Sequence, residues 1–258
     1  MIGGTSLTEE IPETLRNEIK HIINVDFDKA MNDILAYIIL HEPVSLYKIT
    51  RDTPYGISSV YKKAKRMIND GLIKSSLNHN ISDKRCRNLY EATVKGILTC
   101  MAYKCLDDEV LLNKLRIKWQ LKTFCSQRIV SILKLLPQII KISNDSEVIE
   151  NPRALMVLIL TFASDHAHTK NLEMNQVIRD AYAAALYYII NRLILDKSLN
   201  DEVIIGHKDF LIGMDSNRGR VIIYSCKLCN KNCFLIDGNN GCNILREARR
   251  KITEILML

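Results

Sequence analysis

Apolar residues recur at helical spacing along most of this chain, and turn residues with short alternating runs interrupt them at two places. Residues 12–25 predict a helix opening at Pro12, with Leu15, Ile19, Ile22 and Ile23 on one face; proline suits a first helical turn. Residues 28–40 predict a second helix, apolar at Ile34, Leu35, Ile38 and Ile39. The stretch Val44–Ile73, VSLYKITRDTPYGISSVYKKAKRMINDGLI, then predicts two short amphipathic helices parted by Thr53-Pro54-Tyr55-Gly56. Pro54 keeps Thr53 out of the α region and Gly56 relieves the turn, so one helix stops before the next begins. The second of the pair sets Val60, Ala64, Met67 and Ile68 on a core face. Its polar face carries Ser58, Ser59, Tyr61, Lys62, Lys63, Lys65 and Arg66. A helix of that kind fits a major groove, with its first turn at base edges and its lysines near phosphates.

A hairpin is expected next. Leu72–Leu77 is strand-like and follows Asp70-Gly71, the polar run 78–87 turns the chain, and Leu89–Ala92 returns. Lys84, Arg85 and Arg87 fall at or near the tip, where they would meet a sugar-phosphate backbone. Thr93 is the expected N-cap of a helix carrying Val94, Ile97, Leu98 and Met101.

Three runs carry a family resemblance: Gly56-Ile57-Ser58-Ser59-Val60-Tyr61, Asn69-Asp70-Gly71-Leu72-Ile73 and Leu89-Tyr90-Glu91-Ala92-Thr93-Val94-Lys95-Gly96. Residues of about 33–104 resemble the winged helix-turn-helix domain of archaeal and bacterial transcriptional regulators of the MarR/PadR type. The resemblance covers a little over a quarter of the chain. It implies binding of duplex DNA by a homodimer, and the long C-terminal half departs from the small members of that family.

Charge points the same way. Residues 44–105 hold 12 basic and 4 acidic side chains, a surplus of 8, against +7 for the whole chain. Residues 1–43 hold 3 basic and 8 acidic, a deficit of 5. Basic charge is thus concentrated where a polyanion would bind. No apolar run approaches 18–20 residues, so no membrane span is expected, and the first residues lack the basic and apolar parts of a secretory signal. No phosphate-binding lysine loop, nucleophile elbow or His-Glu-x-x-His pattern occurs, which lowers the expectation of catalysis. Isoleucine and lysine/arginine enrichment fits a thermophilic archaeal source.

Residues 107–197 read as helical almost throughout. One helix covers Val110 to Trp119 and runs toward Phe124; another covers Ile129 to Ile140, with Pro137 expected to bend or interrupt it. Pro152 opens a helix that is apolar nearly all round from Leu155 to Ala163, and Met174–Leu195 forms a long one rich in alanine. Asp165, His166 and His168 between them are a weak metal trio without a fourth partner. The stronger candidate is Cys226-x2-Cys229-x3-Cys233-x8-Cys242, which gathers four of the eight cysteines into 17 residues. Four thiolates suit tetrahedral zinc, and a Cys-x-x-Cys turn supplies two of them. Strand Arg220–Tyr224, the knuckle, strand Phe234–Ile236 and a helix Asn243–Leu256 follow a loosely treble-clef-like order. Cys233 sits unusually close to Cys229, so His207 is an alternative fourth ligand. Disulfides and an iron–sulfur cluster stay open as other uses of these cysteines.

The expected protein is mainly α. It has an N-terminal helix (1–27), a winged helix-turn-helix domain (28–105), a helical middle (106–200) and a small α+β cysteine-rich module (201–258) with structural zinc. The expected function is sequence-specific binding of double-stranded DNA by a cytoplasmic transcriptional regulator acting as a homodimer, without catalysis, membrane or small-molecule substrate. A replication or plasmid-partition factor using the same domain stays open, as does a protein-interaction scaffold that binds no DNA.

Overall fold

The computed structural model describes residues 11–77, 88–121, 125–166, 171–195, 205–207, 210–215 and 220–226. The chain is mainly helical and divides into two compact units, Met1–Lys118 and Trp119–Leu258. Among the described residues no helix is long and apolar enough to cross a membrane.

The first unit begins with helices Glu13–Ile23 (α1), Lys29–His41 (α2), Leu46–Asp52 (α3) and Ile57–Asn69 (α4). Strands Ile73–Leu77 (β1) and Asn88–Ala92 (β2) follow, then Val94–Ala102 (α5) and Asp108–Lys118 (α6). The strands pair antiparallel, from Ile73 opposite Ala92 to Leu77 opposite Asn88. Val44 exchanges two backbone hydrogen bonds with Tyr90, 3.0 and 2.8 Å, which lays the link between α2 and α3 beside β2.

The helix ends follow from local chemistry. Asp28 accepts from the Met31 N–H at 2.9 Å, Ser45 from Lys48 at 3.3 Å and Thr93 from Gly96 at 3.0 Å, each satisfying a donor that the first turn leaves open. α4 closes through Gly71 at φ 71°: the Leu72 N–H reaches the Met67 carbonyl at 2.8 Å and the Gly71 N–H reaches that of Ile68 at 3.0 Å. That pair of bonds needs a left-handed residue, which glycine adopts without a steric penalty.

The core joins Ile34, Leu35 and Ile38 of α2 to Val60, Ala64 and Met67 of α4 and Ile97, Leu98 and Met101 of α5. Ile68, expected in that core, is instead 39% exposed. Val60, Ala64 and Met67 define the buried stripe, and Ile68 falls past its edge. α1 packs on α5, burying Leu15, Ile19 and Ile23 within the unit. Arg16 pins it, donating to the Met101 carbonyl at 2.5 Å and to both Asp108 oxygens at 2.6 and 2.5 Å. Asp108 also accepts from the Ile11 N–H at 2.8 Å. α6 packs on α5, and its Lys114 and Lys118 each lie 3.3 Å from the Glu42 carboxylate, which accepts from the Ala92 N–H at 2.8 Å.

The second unit holds helices Ser126–Ser143 (α7), Pro152–Asp165 (α8) and Leu172–Leu195 (α9), with a 3-10 turn at Ser146–Glu150. Three antiparallel strands follow, Ile205–His207 (β3), Phe210–Asp215 (β4) and Arg220–Cys226 (β5), in that spatial order. α9 packs on α7 and α8; Ala181, Ala184 and Ala185 are fully buried, and their small side chains permit close approach. Pro137 was expected to bend or interrupt its helix; it does not interrupt α7, which continues to Ser143. Burial of Ile132, Leu133, Leu136 and Ile139 on both sides opposes the lost backbone bond. Trp119 is fully buried and its indole N–H donates to the Ile149 carbonyl at 3.1 Å. Pro152 takes the first turn of α8, capped by the Asn151 side chain.

Candidate nucleic-acid interface

α4 exposes three distinct strips. Successive side chains on a helix rotate by about 100°. The buried stripe Val60, Ala64 and Met67 therefore places Ser58, Lys62, Lys65 and Asn69 outermost, and all four are exposed. Ile57, Tyr61 and Ile68 form one flank, exposed by 45%, 53% and 39%. Ser59, Lys63 and Arg66 form the other, and they are half-buried.

That second flank faces acid. Lys63 is ion-paired to Asp28. Arg66 donates to the Asp26 carboxylate at 2.9 Å and to its backbone carbonyl at 2.8 Å, with Asp70 a further 3.7 Å partner. The Lys63 hydrogen bond, and after it the Met31 N–H, hold the Asp28 carboxyl below its ordinary range. The bond to Asp26 is the first reason the Arg66 guanidinium is held more firmly protonated. Lys62 and Lys65 have no ion pair among the described residues. The expected set of seven α4 residues is therefore split: Ser58, Tyr61, Lys62 and Lys65 face outward, Ser59 is half-buried, and Lys63 and Arg66 are engaged within the chain.

The angle between α3 and α4 is fixed from α2. Tyr55, in the turn, donates its hydroxyl to Asp33 at 2.5 Å. Tyr37 donates to Asp52 at the end of α3 at 2.6 Å, and Arg51 meets the same carboxylate at 2.8 Å. Arg51 first and Tyr37 second hold Asp52 down at about 2. Desolvation, reinforced by Asp52, pushes Tyr37 up to about 12. Gly56 precedes α4 with open space where a side chain would stand.

β1 and β2 place Lys74 on the hairpin, 3.6 Å from Glu91. Lys84, Arg85 and Arg87 lie outside the described residues. So do Cys229, Cys233 and Cys242, together with the strand 234–236 and the helix 243–256. Cys226 ends β5, opposite Phe210, which in turn pairs with His207; the two candidate ligands thus occupy the same end of the three-stranded sheet, two strands apart. Cys100, Cys105 and Cys125 are free thiols, and the hydrogen bond with Cys105 followed by burial pushes the Cys100 thiol far up. His166 stacks on Phe162 and its Nδ1 lies 3.0 Å from the Phe162 carbonyl, while His168 lies outside the described residues. Among the described residues no three His, Cys, Asp or Glu side chains are grouped to hold a metal.

Sequence reasoning missed the acidic partners Asp26, Asp28 and Asp33. Their trace was the charge deficit of residues 1–43 set against the surplus of 44–105. Compared with protein-family models, curated proteins and solved structures, the chain gives no match.

Proposed function

We propose that residues 28–105 are a winged helix-turn-helix that binds duplex DNA sequence-specifically, and that the protein is a transcriptional regulator. The observation that carries this reading is the outward strip of α4: Ser58, Lys62 and Lys65 exposed together, with Tyr61 beside them, on a helix whose preceding turn is bonded to α2 through Tyr55 and Asp33. The order of elements supports it: a helix, the Val44 bridge, two helices about a Pro-Gly turn, then a hairpin. Lys62 and Lys65 would meet phosphates, and Ser58 and Tyr61 base edges. Lys84, Arg85 and Arg87, which lie between β1 and β2 in sequence, would add backbone contacts, and a homodimer would present two copies of α4 to a two-part site.

The test is salt dependence. Lys62→Ala/Lys65→Ala should weaken binding to every duplex and flatten the slope of log affinity against log salt by about two units, one per lost phosphate contact. Ser58→Ala or Tyr61→Phe should instead change which sequence is preferred. A folded double variant with native affinity and slope would sink the reading. The exposed flank Ile57, Tyr61 and Ile68 favours a second reading, a protein-contact surface, which would then lead.

We read Cys226, Cys229, Cys233 and Cys242 as ligands of a structural zinc. The spacing supports this, as does the small size of the segment, which gains stability from a metal that it lacks in core. Purified protein should hold about one zinc per chain. Cys226→Ser or Cys229→Ser should lose it, and Cys125→Ser should not. If His207 completes the site, Cys233→Ser should keep the metal and His207→Ala should lose it. Two intact disulfides in residues 226–242, or iron with visible absorbance, would replace zinc by the corresponding alternative.

A further inference from the structure

We propose that Asp26 and Asp28 are an internal stand-in for DNA phosphates, competing with the duplex for the Lys63–Arg66 flank of α4. This rests on the duplex-binding reading above and concerns how that site is tuned. The link between α1 and α2 is built to present these carboxylates. Asn24 turns the chain at φ 43°, the Tyr103 hydroxyl donates to the Val25 carbonyl at 3.0 Å, and the Phe27 ring packs 5.1 Å from that of Tyr103. Asp28 spends its Oδ1 on the Met31 N–H, which leaves Oδ2 for Lys63. Asp26 offers Arg66 a carboxylate and a carbonyl oxygen, both accepting from one guanidinium nitrogen.

The pairing is weak enough to yield. The Asp26 side chain is 92% exposed and that of Asp28 44%, and ion pairs this open to water hold loosely. A duplex offers one negative charge per about 1.7 Å of axis, a denser field than two isolated carboxylates. The acidic link therefore lowers affinity without blocking the site. Lys63 and Arg66 still reach phosphates in the complex, so the salt slope keeps their contribution while the affinity is lowered by the pairs that must first break.

The experiment measures full-chain binding to a mixed-sequence duplex pool by fluorescence anisotropy across a salt series. Asp26→Asn/Asp28→Asn removes the charges while asparagine still caps α2. Binding at low salt should tighten about tenfold, with the log–log slope little changed because Lys63 and Arg66 reach phosphates in both chains. Lys63→Gln/Arg66→Gln should cost about tenfold more in that background than in the native chain, the coupling expected of groups that compete. Unchanged or weaker binding by the asparagine variant overturns the proposal, as does an equal loss from Lys63→Gln/Arg66→Gln in both backgrounds. If Lys62→Ala/Lys65→Ala still weakens binding in that case, duplex binding by α4 stands. If neither the native chain nor the asparagine variant binds duplex, both readings fall together.

Discussion

Gly96→Ala is expected to destabilise the first unit by about 3 kcal/mol, at the upper end of what overpacking usually costs. A Cβ at Gly96 would stand 2.1 Å from the Leu72 carbonyl oxygen and 3.0 Å from its carbon, so the obstacle is backbone. That backbone is not free to retreat. The Leu72 N–H closes α4 on Met67, its carbonyl accepts from the Thr93 N–H at 3.0 Å and the Thr93 hydroxyl at 2.9 Å, and its side chain is fully buried. Any shift moves the junction between α4 and β1, so the proposed duplex binding should weaken along with stability. Urea denaturation followed by circular dichroism measures the first effect; a native midpoint in the variant would show that α5 does not approach Leu72 so closely.

Arg16→Met should cost about 3 kcal/mol, because it breaks a buried pair from one side only. The Arg16 side chain is 7% exposed and that of Asp108 15%, and methionine fills the space without replacing a single donor. Asp108 would keep only the Ile11 N–H, and the Met101 carbonyl would lose the guanidinium. Adding Asp108→Leu should recover part of the loss, since no unpaired charge then remains in the contact between α1 and α6. Denaturation midpoints of the two single variants and the double variant give the coupling directly. Additive losses would mean that the two residues contribute independently.

Much of the first unit was legible because its signals are local. Val60, Ala64 and Met67 mark a helix face by spacing alone, Thr93 sits where a cap must, and Asp70-Gly71 stops a helix by φ. Lys63 and Arg66 look in sequence like Lys62 and Lys65. What separates them is a set of carboxylates 35 to 40 positions earlier, and ion pairing leaves no periodic trace. Ile68 escaped because spacing defines the centre of a buried stripe better than its edge. That Pro137 does not interrupt α7 fits flanking burial that a residue-by-residue reading does not weigh. α6 reads as one more helix of the middle segment, yet its lysines meet Glu42, and nothing in its own residues announces that pairing.

Trp119 is the chain's one tryptophan, and its fully buried indole is bonded to Ile149 inside the second unit. The molecule thus carries its own optical label. Emission excited at the red edge of protein absorption follows only the surroundings of Trp119. The ten tyrosines are shared between the two units, so their phenols report on both. Recording Trp119 emission beside far-ultraviolet circular dichroism during one titration therefore tells a step of the second unit from a step elsewhere in the chain without attaching a dye.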